Sequence, residues 1–180
     1  MTEAQQFEVF LRNYQNMVFS TAMRLLANQS EAEDITQEVF LRAYERFGQL
    51  RDSPTAGGWL KKVATNLSLN HLSRYRSRWS FFSEIFSSGE DDEGGEAQFP
   101  AEADNEGPEA ADRRQLLEQA LQKLPAAQRV PLVLYHLEGL SCKEIAEQLG
   151  VSLAKVKTDL FRGREALRRR LGPKLTELNA

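Results

Sequence analysis

Apolar residues recur at helical spacing through the first 26 positions of the chain. Phe7, Phe10, Leu11, Tyr14, Val18 and Leu25 fall on one side of a 3.6-residue repeat, which predicts an amphipathic helix over 7–26. Asn28-Gln29-Ser30 interrupts it. Ser30 followed by Glu33 has capping-box spacing, a hydroxyl and a carboxylate that can each engage an orphan backbone N–H, so a second helix is expected to open there. Its apolar stripe is Ile35, Val39, Ala43 and Phe47. GQLRDSPTAGG, residues 48–58, is rich in turn residues and is expected to form a loop. A third helix is predicted from about Trp59 to Tyr75, with Trp59, Leu60, Val63, Ala64, Leu67 and Leu72 apolar.

Periodicity then stops. WSFFSEIFSS holds Trp79, Phe81, Phe82, Ile85 and Phe86, which either complete the first core or form a docking patch. The stretch that follows is rich in Gly, Pro and acid and reads as a disordered linker. The helical pattern resumes at Leu116, Leu117, Ala120, Leu121 and Leu124. Pro125 opens the next element, and Val130, Leu132, Val133, Leu134 and Leu137 supply its apolar side. There is no internal repeat and no strand-like alternation. The expected fold is all-α: a helical domain over 1–80, an acidic flexible linker over 81–112 and a second helical domain over 113–180.

Charge sharpens this division. Residues 1–78 carry ten basic and eight acidic side chains, 79–112 carry eleven acidic and none basic, and 113–180 carry thirteen basic and seven acidic. The net charge of −3 therefore hides two mildly basic modules joined by an acidic connector. No apolar run approaches the ~20 residues that span a bilayer, and the first residues lack the basic-then-apolar layout of a signal peptide. A lone Cys142 excludes an intramolecular disulfide and fits a reducing compartment, so the expected location is cytoplasmic.

The strongest local pattern is LEGLSCKEIAEQLGVSLAKVKTDLFRGREALRRRL, residues 137–171. Ile145, Ala146 and Leu149 form the inner face of a short helix. Gly150 supplies a turn where positive φ is cheap. Ser152 can cap the next helix, whose inner face is Val156, Leu160 and Leu167. Its outer face offers Lys155, Lys157, Thr158, Arg162 and Arg164, donors that a helix in the major groove needs for base edges and phosphates. This is a helix–turn–helix pattern.

From Leu124 to Leu171 the sequence resembles region 4 of bacterial extracytoplasmic-function (ECF) RNA polymerase sigma factors. AEDITQEVFLRAYERF, residues 32–47, is similar to their region 2.2, and WLKKVATNLSLNHLSR, residues 59–74, to regions 2.3–2.4. The resemblance implies a sigma factor that binds core RNA polymerase and directs initiation by recognising minus-35 and minus-10 promoter elements and aiding melting. It implies core-polymerase contacts at Asp34, Gln37, Glu38, Phe40 and Arg42, on the β′ clamp helices, with the β flap as a further polymerase contact. It implies that LRDSPTAGGW captures a flipped base through Arg51, Asp52, Ser53 and Thr55, while Lys62, Asn66, Asn70 and Arg74 meet single-stranded DNA. Trp59 stays open between core packing and stacking on a melted strand. The implied minus-35 readers are Lys157, Thr158, Phe161, Arg162 and Arg164, with Lys155 beside them. Asp159 departs from the family pattern, which is commonly basic there. It either accepts from a cytosine amine or turns away to pair with Lys155 or Arg162. An anti-sigma factor is a further expected partner, and the only route to membrane contact.

No cofactor, metal site or catalytic group is expected. His71 and His136 are isolated, whereas metal ligands come in closely spaced pairs. Cys142 reads as a plain small side chain, with a redox switch as the alternative. The competing functional reading is a helix–turn–helix regulator that is not a sigma factor, which predicts a sensory or receiver domain upstream. Residues 1–78 show no βα alternation.

Overall fold

The computed structural model describes residues 1–73 and 108–178, with side chains described over 1–73 and 110–172. The chain divides into two compact units, Met1–Arg78 and Trp79–Ala180. All regular elements among the described residues are helical.

In the first unit, α1 (Glu3–Leu26), α2 (Gln29–Glu45) and α4 (Ala56–Ser73) pack on one another, and α3 (Phe47–Leu50) is a single turn between the last two. The helix α1 starts four residues earlier than its apolar pattern, because Thr2 and Gln5 form a capping box. Thr2 Oγ1 accepts from the Gln5 N–H at 3.3 Å and Gln5 Oε1 from the Thr2 N–H at 2.9 Å. Val18, Ala22, Ile35, Val39, Ala43, Phe47, Leu60 and Ala64 are among the residues forming its core. Each large side chain removed from water here contributes about 1.5–3 kcal/mol.

Two local expectations are corrected. Asn28, not Ser30, caps α2: its Oδ1 accepts from the Glu31 N–H at 3.1 Å. Ala27 ends α1 in the left-handed conformation at φ 51°, and this tight exit places Asn28 where the new helix begins. The segment 48–58 is also not all loop. Gly48-Gln49-Leu50 belongs to α3, and Ala56-Gly57-Gly58 is the first turn of α4. Gly57 serves close packing, since a Cβ there would stand 3.2 Å from Tyr14 Cε1. The third helix was expected to reach Tyr75; it is described to Ser73, and Arg74 and Tyr75 lie outside the described residues.

The second unit contains α5 (Pro108–Lys123), α6 (Ala126–Leu132), a π-helical turn (Val133–Leu137), α7 (Cys142–Leu149) and α8 (Leu153–Leu178). The helix α5 begins inside the stretch read as linker over 81–112. The rest of that stretch to residue 107, and the aromatic run 79–86, lie outside the described residues. Pro131 sits within α6 and has no N–H to donate, and the helix widens to the π-helical turn directly after it. Arg129 is buried, donates to the Leu124 carbonyl at 2.8 Å, and has its pKa lowered to about 10 by burial, which leaves it charged at neutral pH. The helices α5, α6 and α7 all pack against α8. No described helix is long and apolar enough to cross a membrane.

Candidate polymerase and promoter surfaces

The helix–turn–helix forms as its residues dictate. Ser141 and Glu144 close a capping box at the start of α7, with Ser141 Oγ 3.1 Å from the Glu144 N and Glu144 Oε1 3.3 Å from the Ser141 N. Gly150 ends α7 at φ 67°, in the region open to a residue without Cβ. Ser152 Oγ then accepts from the Lys155 N–H at 3.1 Å and opens α8. Ile145 of α7 and Val156, Leu160 and Leu167 of α8 are buried, as their spacing predicts.

With that inner face fixed, α8 turns Leu153, Lys157, Thr158 and Phe161 outward, while Arg162 and Arg164 are partly exposed. The Thr158 hydroxyl donates to the Ala154 carbonyl at 3.0 Å, so its remaining lone pairs face out as acceptors. Arg164 is braced: its Nε donates to His136 Nε2 at 3.3 Å and its guanidinium carbon lies 5.4 Å from the Tyr135 ring centroid. Burial, and then the Arg164 charge, hold the His136 pKa below the usual imidazole value. A neutral imidazole is the form that can accept this bond. Further along, Arg168 pairs with Glu165 at 3.0 Å, and Arg169 and Arg170 are exposed. Asp159 is resolved: it is only 8% exposed and its Oδ2 lies 2.7 Å from Lys155 Nζ, so it turns away from the reading face.

On α2, Asp34, Gln37 and Arg42 are exposed and Glu38 partly so, with Glu38 Oε1 accepting from Arg42 Nε at 2.9 Å. Phe40 does not join them. It is 6% exposed and belongs to the core cluster, because the buried stripe is wide and takes in Ala32 and Phe40 beside Ile35, Val39 and Ala43. Two apolar side chains stand on the exposed side instead: Leu41, 64% exposed, which the sequence pattern places off the apolar stripe and free for an interface, and Tyr44, 56% exposed, which the pattern does not single out.

The turn before α4 carries Arg51, Asp52 and Ser53 on the rim of a cavity of about 530 Å³ walled by Phe10, Tyr14 and Phe47. Arg51 Nη1 donates to Gln6 Oε1 at 3.4 Å, and Ser53 Oγ and Thr55 Oγ1 are 3.0 Å apart. Gln6 and Asn13 of α1 also line this cavity and were not anticipated, since nothing in sequence separation connects them to residue 51. Along α4, Lys62, Asn66 and Asn70 are exposed at successive four-residue steps and form one polar stripe. Trp59 is half-buried and packs against the core cluster, which favours the packing role left open above. Among the described residues, no group of three or more His, Cys, Asp or Glu side chains could hold a metal ion.

A helical unit with an exposed polar strip, together with a capped helix–turn–helix whose outer face is basic, defines a DNA-binding transcription factor. Comparison with known proteins makes this specific. Residues 10–78 match the model for Sigma-70 region 2, and residues 114–167 match that for Sigma-70 region 4. The chain is 33% identical over 179 residues to the RNA polymerase sigma-H factor of Pseudomonas aeruginosa, covering 97% of this chain and 91% of that protein. It is 33% identical over 162 residues to the ECF RNA polymerase sigma factor SigW of Bacillus subtilis, covering 88% and 84%. The ECF RNA polymerase sigma-E factor of Escherichia coli is 26% identical over 171 residues, covering 95% and 89%. The chain belongs to the ECF sigma factors of bacterial RNA polymerase. It is an alternative sigma factor: it binds core polymerase and directs promoter-specific initiation.

Proposed function

We propose that the two units divide the work of promoter recognition by named surfaces. The exposed side of α2, with Asp34, Gln37, Glu38 and Arg42 around Leu41, docks on the β′ clamp helices. Phe40 supports that face from the core rather than touching polymerase. Arg51, Asp52 and Ser53 at the cavity rim receive an unstacked minus-10 base, and the Lys62–Asn66–Asn70 stripe, together with Arg74, binds the melted strand. The outer face of α8 reads the minus-35 element through Lys157, Thr158, Phe161 and Arg162, with the braced Arg164 at its edge, while Lys155 is held by Asp159 beside that face. The second unit also meets the β flap. The protein acts in the cytoplasm and supplies no catalytic group; the chemistry belongs to the polymerase. An anti-sigma factor is its partner away from polymerase, for which exposed Leu41 and Tyr44 offer an apolar anchor.

The observation that carries this reading is the orientation of α8, whose buried Val156, Leu160 and Leu167 fix which side chains face out. Base readers and phosphate contacts differ in kind. Loss of a base reader costs ~1–3 kcal/mol at particular positions, whereas loss of a phosphate contact weakens all sequences alike. In a minus-35 promoter library transcribed by the holoenzyme, Arg162→Ala is expected to change the preferred sequence. Arg169→Ala is expected to scale every promoter down together. Identical preference profiles for the two variants contradict the assignment.

A further inference from the structure

The recognition helix carries a carboxylate one turn beyond its first lysine, in a helix meant to approach a polyanion. Asp159 and Lys155 lie at i+4 and i on α8, with Oδ2 and Nζ 2.7 Å apart and side-chain exposures of 12% and 26%. Another i,i+4 pair, Glu38–Arg42 at 2.9 Å, is about half exposed on both sides. Water competes strongly for that surface pair and far less for the one on α8. Burial pushes the Asp159 carboxyl upward, while its hydrogen bond to Lys155 and the charges of Lys155 and Arg162 pull it back. A desolvated carboxylate needs its partner, because losing it leaves a buried charge uncompensated.

We propose that Asp159 is a positioning residue that withholds the Lys155 charge from the DNA backbone. The first two turns of α8 then present Lys157 as their one outward cation, beside Thr158 and Phe161. A free lysine at 155 adds attraction to every DNA sequence equally. Tying it down lowers binding to non-promoter DNA without touching the side chains that discriminate between bases. The ratio of promoter to non-promoter affinity is kept, while the sequence-independent hold on all DNA falls. This inference rests on the assignment of α8 to the minus-35 element.

The test uses holoenzyme reconstituted from core polymerase and full-length protein, binding a promoter duplex and a non-promoter duplex across a salt series. Each phosphate contact adds ~0.9 to the slope of log affinity against log salt. Asp159→Asn frees Lys155, so its slope is expected to steepen by about one contact, an extra ~3.5-fold loss of affinity between roughly 50 and 200 mM salt. Both duplexes should gain alike at low salt. The double variant Asp159→Asn/Lys155→Ala removes a pair that contributes no net phosphate contact, so its slope is expected to equal that of the unaltered protein. A purely structural role for the pair moves stability in both variants and leaves the slopes unchanged. An unchanged slope in Asp159→Asn, or a slope lower by one in the double variant, overturns the inference. If Arg162→Ala still alters promoter preference in the same holoenzyme, the assignment of α8 survives that outcome. If Arg162→Ala has no effect on preference either, the assignment itself falls and takes the inference with it.

Discussion

Gly163 shows how one missing methyl sets the distance between two helices. A Cβ at this position of α8 would stand 2.6 Å from Leu132 Cδ1, 3.0 Å from Leu132 Cγ and 3.3 Å from the Gln128 carbonyl oxygen of α6. Gly163→Ala is therefore expected to destabilise the second unit by about 1–3 kcal/mol through overpacking. Gly48 is the control, because nothing lies within 4 Å of its added Cβ and its φ is not positive. Gly48→Ala is expected to be neutral or stabilising by up to ~1 kcal/mol. Hydrogen exchange in the full chain separates the two, with faster exchange across α6 and α8 in the first variant only. Equal protection in both variants contradicts the close approach. Sequence made some single residues plain and hid others for a physical reason. Gly150 and Ser152 act on their own backbone, so their spacing to Val156 was enough. Gly163 and Arg129 act on other segments, Gly163 against Leu132 and Gln128 and Arg129 at the end of α5, and no local pattern announces a partner in space.

At the scale of a helix, α2 separates its exposed side from the core by a quarter-turn. Gln37 and Leu41 share a stripe at four-residue spacing and are exposed, while Phe40 is packed in the core. Gln37→Ala and Leu41→Ala are expected to weaken binding to core polymerase while changing stability by less than ~0.5 kcal/mol, as surface substitutions do. Phe40→Ala is expected to cost about 3–5 kcal/mol of stability, with any loss of polymerase binding following from that. Titrating core polymerase against each variant, alongside chemical unfolding, decides the matter. A stable Phe40→Ala protein that has lost only polymerase binding would show that the ring belongs to the interface. Helix existence and direction of burial were legible for α1, α2, α4 and α8, because stripes such as Ile35, Val39 and Ala43 repeat for several turns. Boundaries were less so. Asn28 and Ser30 have similar capping chemistry, and the left-handed Ala27 backbone chose between them. The glycines at 57 and 58 read as turn residues, yet they open α4, and Gly57 is there to admit the Tyr14 ring.

For the whole molecule, charge is divided by segment, and the acidic stretch joins two units that both carry exposed cations, Lys62 in the first and Lys157 in the second. The order of the two sigma regions and the basic outer face of α8 were legible because each rests on a run of neighbouring residues. The cavity beside Arg51 was not, because it needs α1 to pack against the turn before α4. Residues 88–107 hold eight carboxylates and no cation, and α5 begins only at Pro108. Tethered carboxylates compete with phosphate for the basic face at high effective concentration. Replacing these eight by Asn and Gln, with the length unchanged, is expected to raise the free protein's affinity for duplex DNA, most strongly at low salt. Equal affinity at every ionic strength contradicts that competition. The central claim is that two surfaces of one chain give core polymerase a promoter choice it lacks alone. It is tested most directly by adding the purified protein to core RNA polymerase and transcribing a random promoter library. Initiation is expected from a restricted set sharing two elements at a fixed separation, with Arg162→Ala changing the upstream element and Lys62→Ala or Asn66→Ala weakening dependence on the downstream one. Initiation that is indifferent to the protein, while the protein alone selects a single DNA site, would contradict it.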